Sequence, residues 1–545
     1  MGLVLPATNA TAAPDKNGHG PLGKFKKIVV IYEENHSFDN LYGRWGTVGG
    51  KSVDGVGQAS LAHTIQVSQA GTPYNCLLQN DVNLTSPPLS SVCSETVGAT
   101  PITSHFVNTP FLIDDYIKPT DTTCPAPGDF SHPNGVLNGQ GLPGGCTRDL
   151  VHRFYQEQYQ LAGGQQNRYV TGSDAAGLSM GTYDTTRLPV YAYLHGSKAP
   201  HYVITDRFFQ GAFGGSYLNH QWLIAAQAPQ WSTAPDTQHA VLDSNGFPQA
   251  SAPLYVSPQP ATTHDGTVTQ ACGLPTTIPG KACGNYTVNT LVPSWQPTRF
   301  GTQVPGFTNS NIGDQLSTAG VSWAWYSGGW DNAAGNIGGP GYTNGAGPTC
   351  ADPKAASPTT FPYCPDKTFQ FHHQPFNFYT RYAPGTPDRA AHLKDEAEFI
   401  DKAQHGRLPA VSFVKPVGAE NEHPGYTNET SGSTHLVNLL KAIESGPDAK
   451  DTLVVVTYDE FGGQWDHISP PGQGNNNGPH DLFGPGTRIP TLLIGKGLEG
   501  STVDHTSYDS TSIIATIERQ YGLLPLSPRA AQVHDLGPAI RAAHD

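Results

Sequence analysis

Charge is scarce in this chain. Only 14% of its 545 residues are Asp, Glu, Lys or Arg, and the balance is acidic, −14 with histidine neutral. So little charge excludes a disordered polyelectrolyte, and the acidic sign makes nucleic acid or an anionic lipid surface a poor partner. No run approaches 18 consecutive apolar residues, so no stable membrane insertion is expected. Cys-x2-Cys spacing, the mark of a zinc knot, is absent. The N-terminus (Met1-Gly-Leu-Val-Leu-Pro-Ala) lacks a basic region followed by a long apolar one. It reads as the start of a mature chain with an added Met, or as the remnant of a removed signal.

Turn formers and histidines are plentiful instead. Gly (62) and Pro (47) predict much loop, while 10% aromatic residues suffice for a core. The 22 histidines each gain a proton near pH 6.5, so the net negative charge collapses on mild acidification. Eight cysteines fall into four neighbouring couples across short Gly/Pro/Thr-rich loops. They are expected to pair as Cys76–Cys93, Cys124–Cys146, Cys272–Cys283 and Cys350–Cys364, local staples in a periplasmic or secreted protein.

Apolar β-branched runs mark buried strands near 25–32, 408–414, 451–458 and 488–494, with another at 321–326. Such runs are continuous, not alternating, which implies a sheet buried on both faces. Helical spacing occupies Ser433–Glu444 and Ser510–Tyr521, the latter stopped by Gly522. Strands alternating with helices predict a doubly wound, mostly parallel α/β fold spanning 1–545 as a single domain. Two loop-rich stretches, 45–160 and 230–370, break the rhythm, hold all the cysteines, and read as insertions capping the ligand crevice.

That crevice is expected outside the carboxyl ends of the strands. Glu34-Asn35 follows the first strand and Asp459-Glu460 follows the third, so they meet despite their separation in sequence. A carboxylate beside a carboxamide supplies hard oxygen ligands for a divalent cation. Around Gly462-Gly463 the chain also carries Asp466 and His467, an unusual density of ionisable groups for so uncharged a protein. Ser216 follows Gly214-Gly215 and precedes an apolar helix, where it serves either as a cap or as a hydroxyl beside anion-attracting N–H groups. The Gly-x-Ser-x-Gly elbow of another hydrolase class is not matched at Ser216. His132, His372-His373 and His423 are scattered candidates for proton transfer. A separate reading takes Trp323, Trp325 and Trp330 as a sugar-binding aromatic surface.

Taken in order, these blocks resemble the phosphoesterase family of bacterial acid phosphatases and non-specific phospholipases C, within the alkaline-phosphatase-like superfamily. The resemblance rests on Glu34-Asn35-x-Ser37-Phe38-Asp39 and Thr457-Tyr-Asp-Glu-x-Gly-Gly-x-x-Asp466-His467-x-x-Pro-Pro. Thr205-Asp-Arg-Phe-Phe, Glu422-His423-Pro424 and Arg488-Ile-Pro-Thr-Leu-Leu-Ile support it. It implies an alkaline-phosphatase-like fold, with Glu34, Asn35, Asp459 and Glu460 as the shell of one divalent metal ion (Ca, Mg or Mn in preference to Zn). It further implies Ser216 as nucleophile, His132, His373 and His423 as surrounding catalytic histidines, and Asn35, His220 and His467 as substrate contacts. The implied substrate is a small phosphate ester, with a phospholipid head group as the alternative. Phospholipase C members tend to carry Thr-x-Pro-Asn-Arg where this chain has Ser216-Tyr-Leu-Asn219-His220, which tilts the resemblance toward acid phosphatase.

Overall fold

β-Branched runs build the frame. In the computed structural model, which describes residues 20–78, 89–126, 136–249, 254–255, 264–295, 303–336, 338–342 and 368–544, eight strands join in one sheet. They are β1 (Lys27–Glu33), β2 (Tyr202–Thr205), β3 (Trp323–Ser327), β4 (Leu393–Asp395), β5 (Val411–Lys415), β6 (Thr452–Tyr458), β7 (Thr491–Ile494) and β8 (Thr502–Asp504). Their order is β4-β3-β5-β1-β6-β7-β2-β8. Every pairing is parallel except the two made by β7, which runs against β6 and β2. The mixed α/β architecture with a mostly parallel sheet is therefore the expected one. The strands start later than the apolar runs suggest. Pro409 and Pro490 lie ahead of β5 and β7, and proline cannot donate to a ladder.

The centre of the sheet is dry. β6 is buried throughout and β1 is buried after Lys27. Helices form two groups, as burial on both faces requires. The helices that matter for the site are α1 (Phe154–Leu161), α2 (Ser216–Ala225), α3 (Glu429–Ser445) and α4 (Ser510–Tyr521). α3 packs on the helices Pro189–Leu194 and Glu396–Gln404, whereas α2 packs on α4 and on Ile312–Thr318. Local chemistry sets their ends. Asn428 caps α3 by accepting from Ser431 N–H, Asp509 caps α4, and Gly522 ends α4 in the left-handed region.

The tryptophan reading is overturned. Trp323 and Trp325 lie on β3 and are buried, and Trp330 is buried with its indole N–H donating to Leu393 O. They are core residues, with Trp325 stacked on Phe413 at 5.6 Å, so no sugar-binding face exists there. The disulfides Cys76–Cys93, Cys124–Cys146 and Cys272–Cys283 pair as neighbours. Cys350, Cys364 and His132 lie outside the described residues.

Candidate functional site

Strand register brings the two acidic corners together. β1 and β6 are adjacent and parallel, with Glu33 opposite Tyr458, so the next residues on each strand, Glu34 and Asp459, emerge side by side. The backbone locks this contact: Asn35 N–H and Glu460 N–H both donate to Asp459 Oδ1, at 3.1 and 2.8 Å. Asn35 adopts φ of 60°, a left-handed conformation that asparagine tolerates better than most residues.

Asn35 has a determined orientation. His423 Nδ1 donates to Pro424 O, and His152 Nδ1 donates to Leu150 O, which leaves both Nε2 atoms as acceptors. The Asn35 amide donates to both, at 3.1 Å to His423 and 3.3 Å to His152. Its carbonyl Oδ1 is then turned away, buried and without a hydrogen bond. Asp459 Oδ2, Glu460 Oε1 and His220 Nε2 are also buried without hydrogen-bond partners. His220 donates through Nδ1 to Ser216 O at 2.7 Å, so the Nε2 lone pair is available, 4.0 Å from Glu34 Oε1. Glu34, His220 and Asp459 bring ligand atoms within 4.8 Å of one another. A set of buried, orphaned oxygen and nitrogen acceptors fits a divalent cation, because leaving such groups unpaired is costly.

Ser216 stands over this cluster. It is the first residue of α2, and Gly215 is the cap, so its side chain is not used for capping. Instead its hydroxyl donates to Glu34 Oε2 at 3.0 Å. The preceding glycines are steric requirements. A Cβ on Gly214 would lie 2.7 Å from Phe154 N, and one on Gly215 would lie 2.8 Å from His152 O. The segment His152–Phe154 therefore packs directly on the turn that presents Ser216.

Burial shapes the electrostatics. It pushes Glu34 well above the ordinary carboxylate range, the charge of Asp459 adds to this, and Lys415 opposes it. Glu460 is raised by burial and then by Asp459. His220, His373 and His423 are held well below 6.5, chiefly by burial. Lys415, at the end of β5, is buried and ion-paired with Glu34, and it donates to Tyr32 O at 2.8 Å. His373 Nε2 lies 3.4 Å from Glu34 Oε1, and its ring stacks on His220 at 5.0 Å. A cavity of about 400 Å³ opens above, walled by Ser216, His152, His372, His373 and His423 together with Arg148 and Arg153.

Most of the residues singled out in the sequence thus converge: Glu34, Asn35, Asp459, Glu460, Ser216, His220, His373 and His423. Two are placed elsewhere than expected. His220 is fully buried beside Glu34 and Asp459 and is not on the cavity wall, so it is positioned as a ligand-type group, not a substrate contact. His467 belongs to another network. Its ring is held by Asp39 and, at 3.2 Å, by Asp54, while Arg488 donates to Asp39 and Asp466 at 3.0 Å. With both ring nitrogens engaged, His467 has a structural position and not a substrate-facing one. Two site residues had not been singled out. Lys415 was detectable as an ionisable residue at the end of an apolar strand; His152 sits in loop sequence with no such mark. Gly177-Leu-Ser179-Met-Gly181 does spell the elbow pattern, but Ser179 lies on a 3-10 turn and its hydroxyl donates to Ala176 O.

A carboxylate-lined crevice at the carboxyl edge of a mostly parallel sheet, with a hydroxyl presented on a helix N-terminus, lies where an open α/β fold places its ligand site. The chain belongs to the Phosphoesterase family, whose model matches residues 25–524. Among the curated proteins its sequence is similar to are three phospholipases C. Non-specific phospholipase C6 of Arabidopsis thaliana is 28% identical over 152 residues, 24% of this chain and 29% of that protein. Non-hemolytic phospholipase C of Burkholderia pseudomallei is 29% identical over 175 residues, 27% and 25% respectively. Phospholipase C B of Mycobacterium tuberculosis is 30% identical over 147 residues, 23% and 27%. The matches thus span between a quarter and three tenths of each relative's length. Among solved structures, an alkaline phosphatase superfamily protein from Vibrio parahaemolyticus is 11% identical, with a TM-score of 0.24 over 45% of this chain and 56% of that one, too slight a likeness to argue from.

Proposed function

We propose that this chain hydrolyses phosphate monoesters through a phosphoseryl intermediate on Ser216. The observation that carries the reading is the Ser216 hydroxyl, 3.0 Å from Glu34 Oε2 at the N-terminus of α2 and above the Asp459 corner. Glu34, Asp459, Asn35 and His220 would hold a divalent metal ion, which when bound neutralises phosphoryl charge and lowers the pKa of a hydroxyl. The predominance of oxygen donors favours Ca, Mg or Mn over Zn, with the His220 nitrogen making the set mixed.

The chain's own groups supply the rest. Glu34 orients Ser216 Oγ and accepts its proton as the oxygen attacks phosphorus in line and the P–O bond to the leaving alcohol breaks. The free N–H groups at the start of α2 face the developing phosphoryl charge. Both ring nitrogens of His423 are engaged, so the proton donor is His373: burial favours its neutral ring, and a phosphate dianion beside it favours the protonated form. His373 therefore takes up a proton from solvent as the dianion binds and gives it to the leaving alcohol, most readily at mildly acidic pH. Water completes the cycle by releasing phosphate from Ser216.

A second reading, cleavage of a phospholipid diester, is supported by the names of the relatives. The monoester is preferred here because Leu218-Asn219-His220 departs from the Thr-x-Pro-Asn-Arg pattern and because the cavity suits a small ester. Three loop disulfides support residence in an oxidising, exported compartment. The test is hydrolysis of p-nitrophenyl phosphate and of phosphatidylcholine vesicles by the wild type and by Ser216→Ala. The proposal expects monoester turnover that is abolished in the variant. Phosphocholine release without monoester turnover would favour the second reading, and undiminished turnover by Ser216→Ala would refute both.

A further inference from the structure

The cavity contains a cation that the mechanism does not use. Arg153 lines the same cavity as Ser216 and is half-buried. Among the described residues its guanidinium makes no hydrogen bond or ion pair. Its neighbour Arg148 differs, being paired with Asp174 at 2.7 Å. The acids within electrostatic reach of Arg153 are Asp149 and Asp265. Asp265 is already engaged by the N–H groups of Tyr155 and Gln156 and by the Asn289 amide. Asp149 faces His152 Nδ1 at 3.5 Å. An arginine kept in a partly enclosed cavity without a partner is an uncommitted five-donor fork.

Its placement is fixed by backbone. His152 reaches into the cluster around Asn35, and Phe154 N–H donates to Asn289 Oδ1 at 3.2 Å. Within three residues the chain passes from the reacting centre to a wall that also carries Val288 and Leu291. Because Gly214 and Gly215 let this segment lie directly on the Ser216 turn, Arg153 is tied to the nucleophile's own loop.

Resting on the monoester reading above, we propose that Arg153, with the exposed apolar side chain of Leu291, forms a leaving-group subsite. It selects phosphate monoesters whose alcohol carries a second anionic group beyond an apolar segment. The α2 N-terminus, the histidines and the cation that the carboxylate cluster would hold provide for the phosphoryl group, which leaves a fork outside that set for the other end of the substrate. A guanidinium–anion contact in a partly desolvated wall gives a discrimination of about 10- to 100-fold.

The test compares phenyl phosphate with its para-carboxymethyl and para-aminomethyl derivatives. The methylene damps the substituent's effect on the ester oxygen, and the intrinsic difference that remains cancels when the same ratio is compared across variants. In the wild type the ratio of kcat/KM for the carboxymethyl ester to that for phenyl phosphate is expected to be at least about tenfold, carried mainly by KM. In Arg153→Ala the ratio should fall to near unity, in Arg153→Lys it should be partly kept, and in Arg153→Glu preference should pass to the aminomethyl ester. Each ratio is measured within one protein, so a reduced folded fraction cancels. A wild type indifferent to the remote charge, or a ratio unchanged in Arg153→Ala, would overturn the subsite while leaving phosphatase activity standing. A wild type that hydrolyses none of the three would defeat the monoester reading, and the subsite with it.

Discussion

Replacing His467 with Gln removes a cation from an enclosed ion network and leaves Asp39 without its closest partner. Burial pulls the His467 ring toward neutrality, but the charge of Asp39 and the hydrogen bonds that the ring donates to Asp39 and Asp54 outweigh it and raise its pKa to about 9. The interval from the unperturbed value near 6.5, at about 1.36 kcal/mol per pH unit, corresponds to about 3 kcal/mol. The sign follows from the direction. A histidine whose folded pKa is raised contributes fully below its unfolded value and loses that contribution as pH rises through the folded one. Burial lifts Glu157 and Glu422 to about 8 as well, so the wild type also weakens with alkalinity through these carboxyls. The difference between wild type and His467→Gln cancels that background. Urea unfolding should show a gap of about 3 kcal/mol near pH 6 that narrows to under about 1 kcal/mol near pH 10. A gap that is constant with pH, or that widens as pH rises, would refute the argument that a charged His467 holds Asp39.

Other consequences concern the site more directly. Asn35→Ala removes both donors that orient His423 and His152 and places alanine in a left-handed backbone; kcat should fall by at least about 100-fold, with about 1 kcal/mol of lost stability on unfolding. A chelator should lower the thermal midpoint, and a divalent cation at about 100 times its Kd should restore about 2.7 kcal/mol. Lys415→Met deletes the ammonium beside Glu34, and the variant's unfolding midpoint should respond more steeply to added divalent cation than the wild type's. Glu157 accepts from Gly214 N–H, Gln210 Nε2 and both the N–H and hydroxyl of Thr487, so it anchors the loop that presents Ser216. Above about pH 8, where Glu157 is ionised, Glu157→Gln turns one accepting oxygen into a donor facing donors, and should cost about 2–3 kcal/mol in unfolding free energy with a parallel loss of kcat.

The frame was legible because its signals are local. The runs Ile28–Tyr32 and Leu453–Tyr458 are too apolar and too β-branched to be anything but buried strands, and their polar ends pointed to one crevice. The sequence led both polar ends to one crevice, but the parallel pairing of β1 with β6, which sets Glu34 beside Asp459, is visible only in the sheet. Contacts made by loops were less visible. His152 reaches Asn35 only because Gly214 and Gly215 permit a close approach, which no spacing rule encodes. Asp466-His467 carries the same residue types as a reacting centre, yet Arg488 draws it into a structural network from elsewhere in the chain. The tryptophans mislead for a related reason: an aromatic run suits a sugar-binding face and a core strand equally, and only the position of β3 beside β5 decides for the core.

The proposed chemistry requires that Ser216 take the phosphoryl group. Acid quenching during turnover of a phosphate monoester, followed by mass spectrometry of the peptides, tests it most directly. The expected result is a phosphoryl group on Ser216 that accumulates during turnover and is absent from Ser216→Ala. Active turnover with phosphate trapped on a different residue, or with inversion at a chiral phosphorus showing direct attack by water, would contradict it.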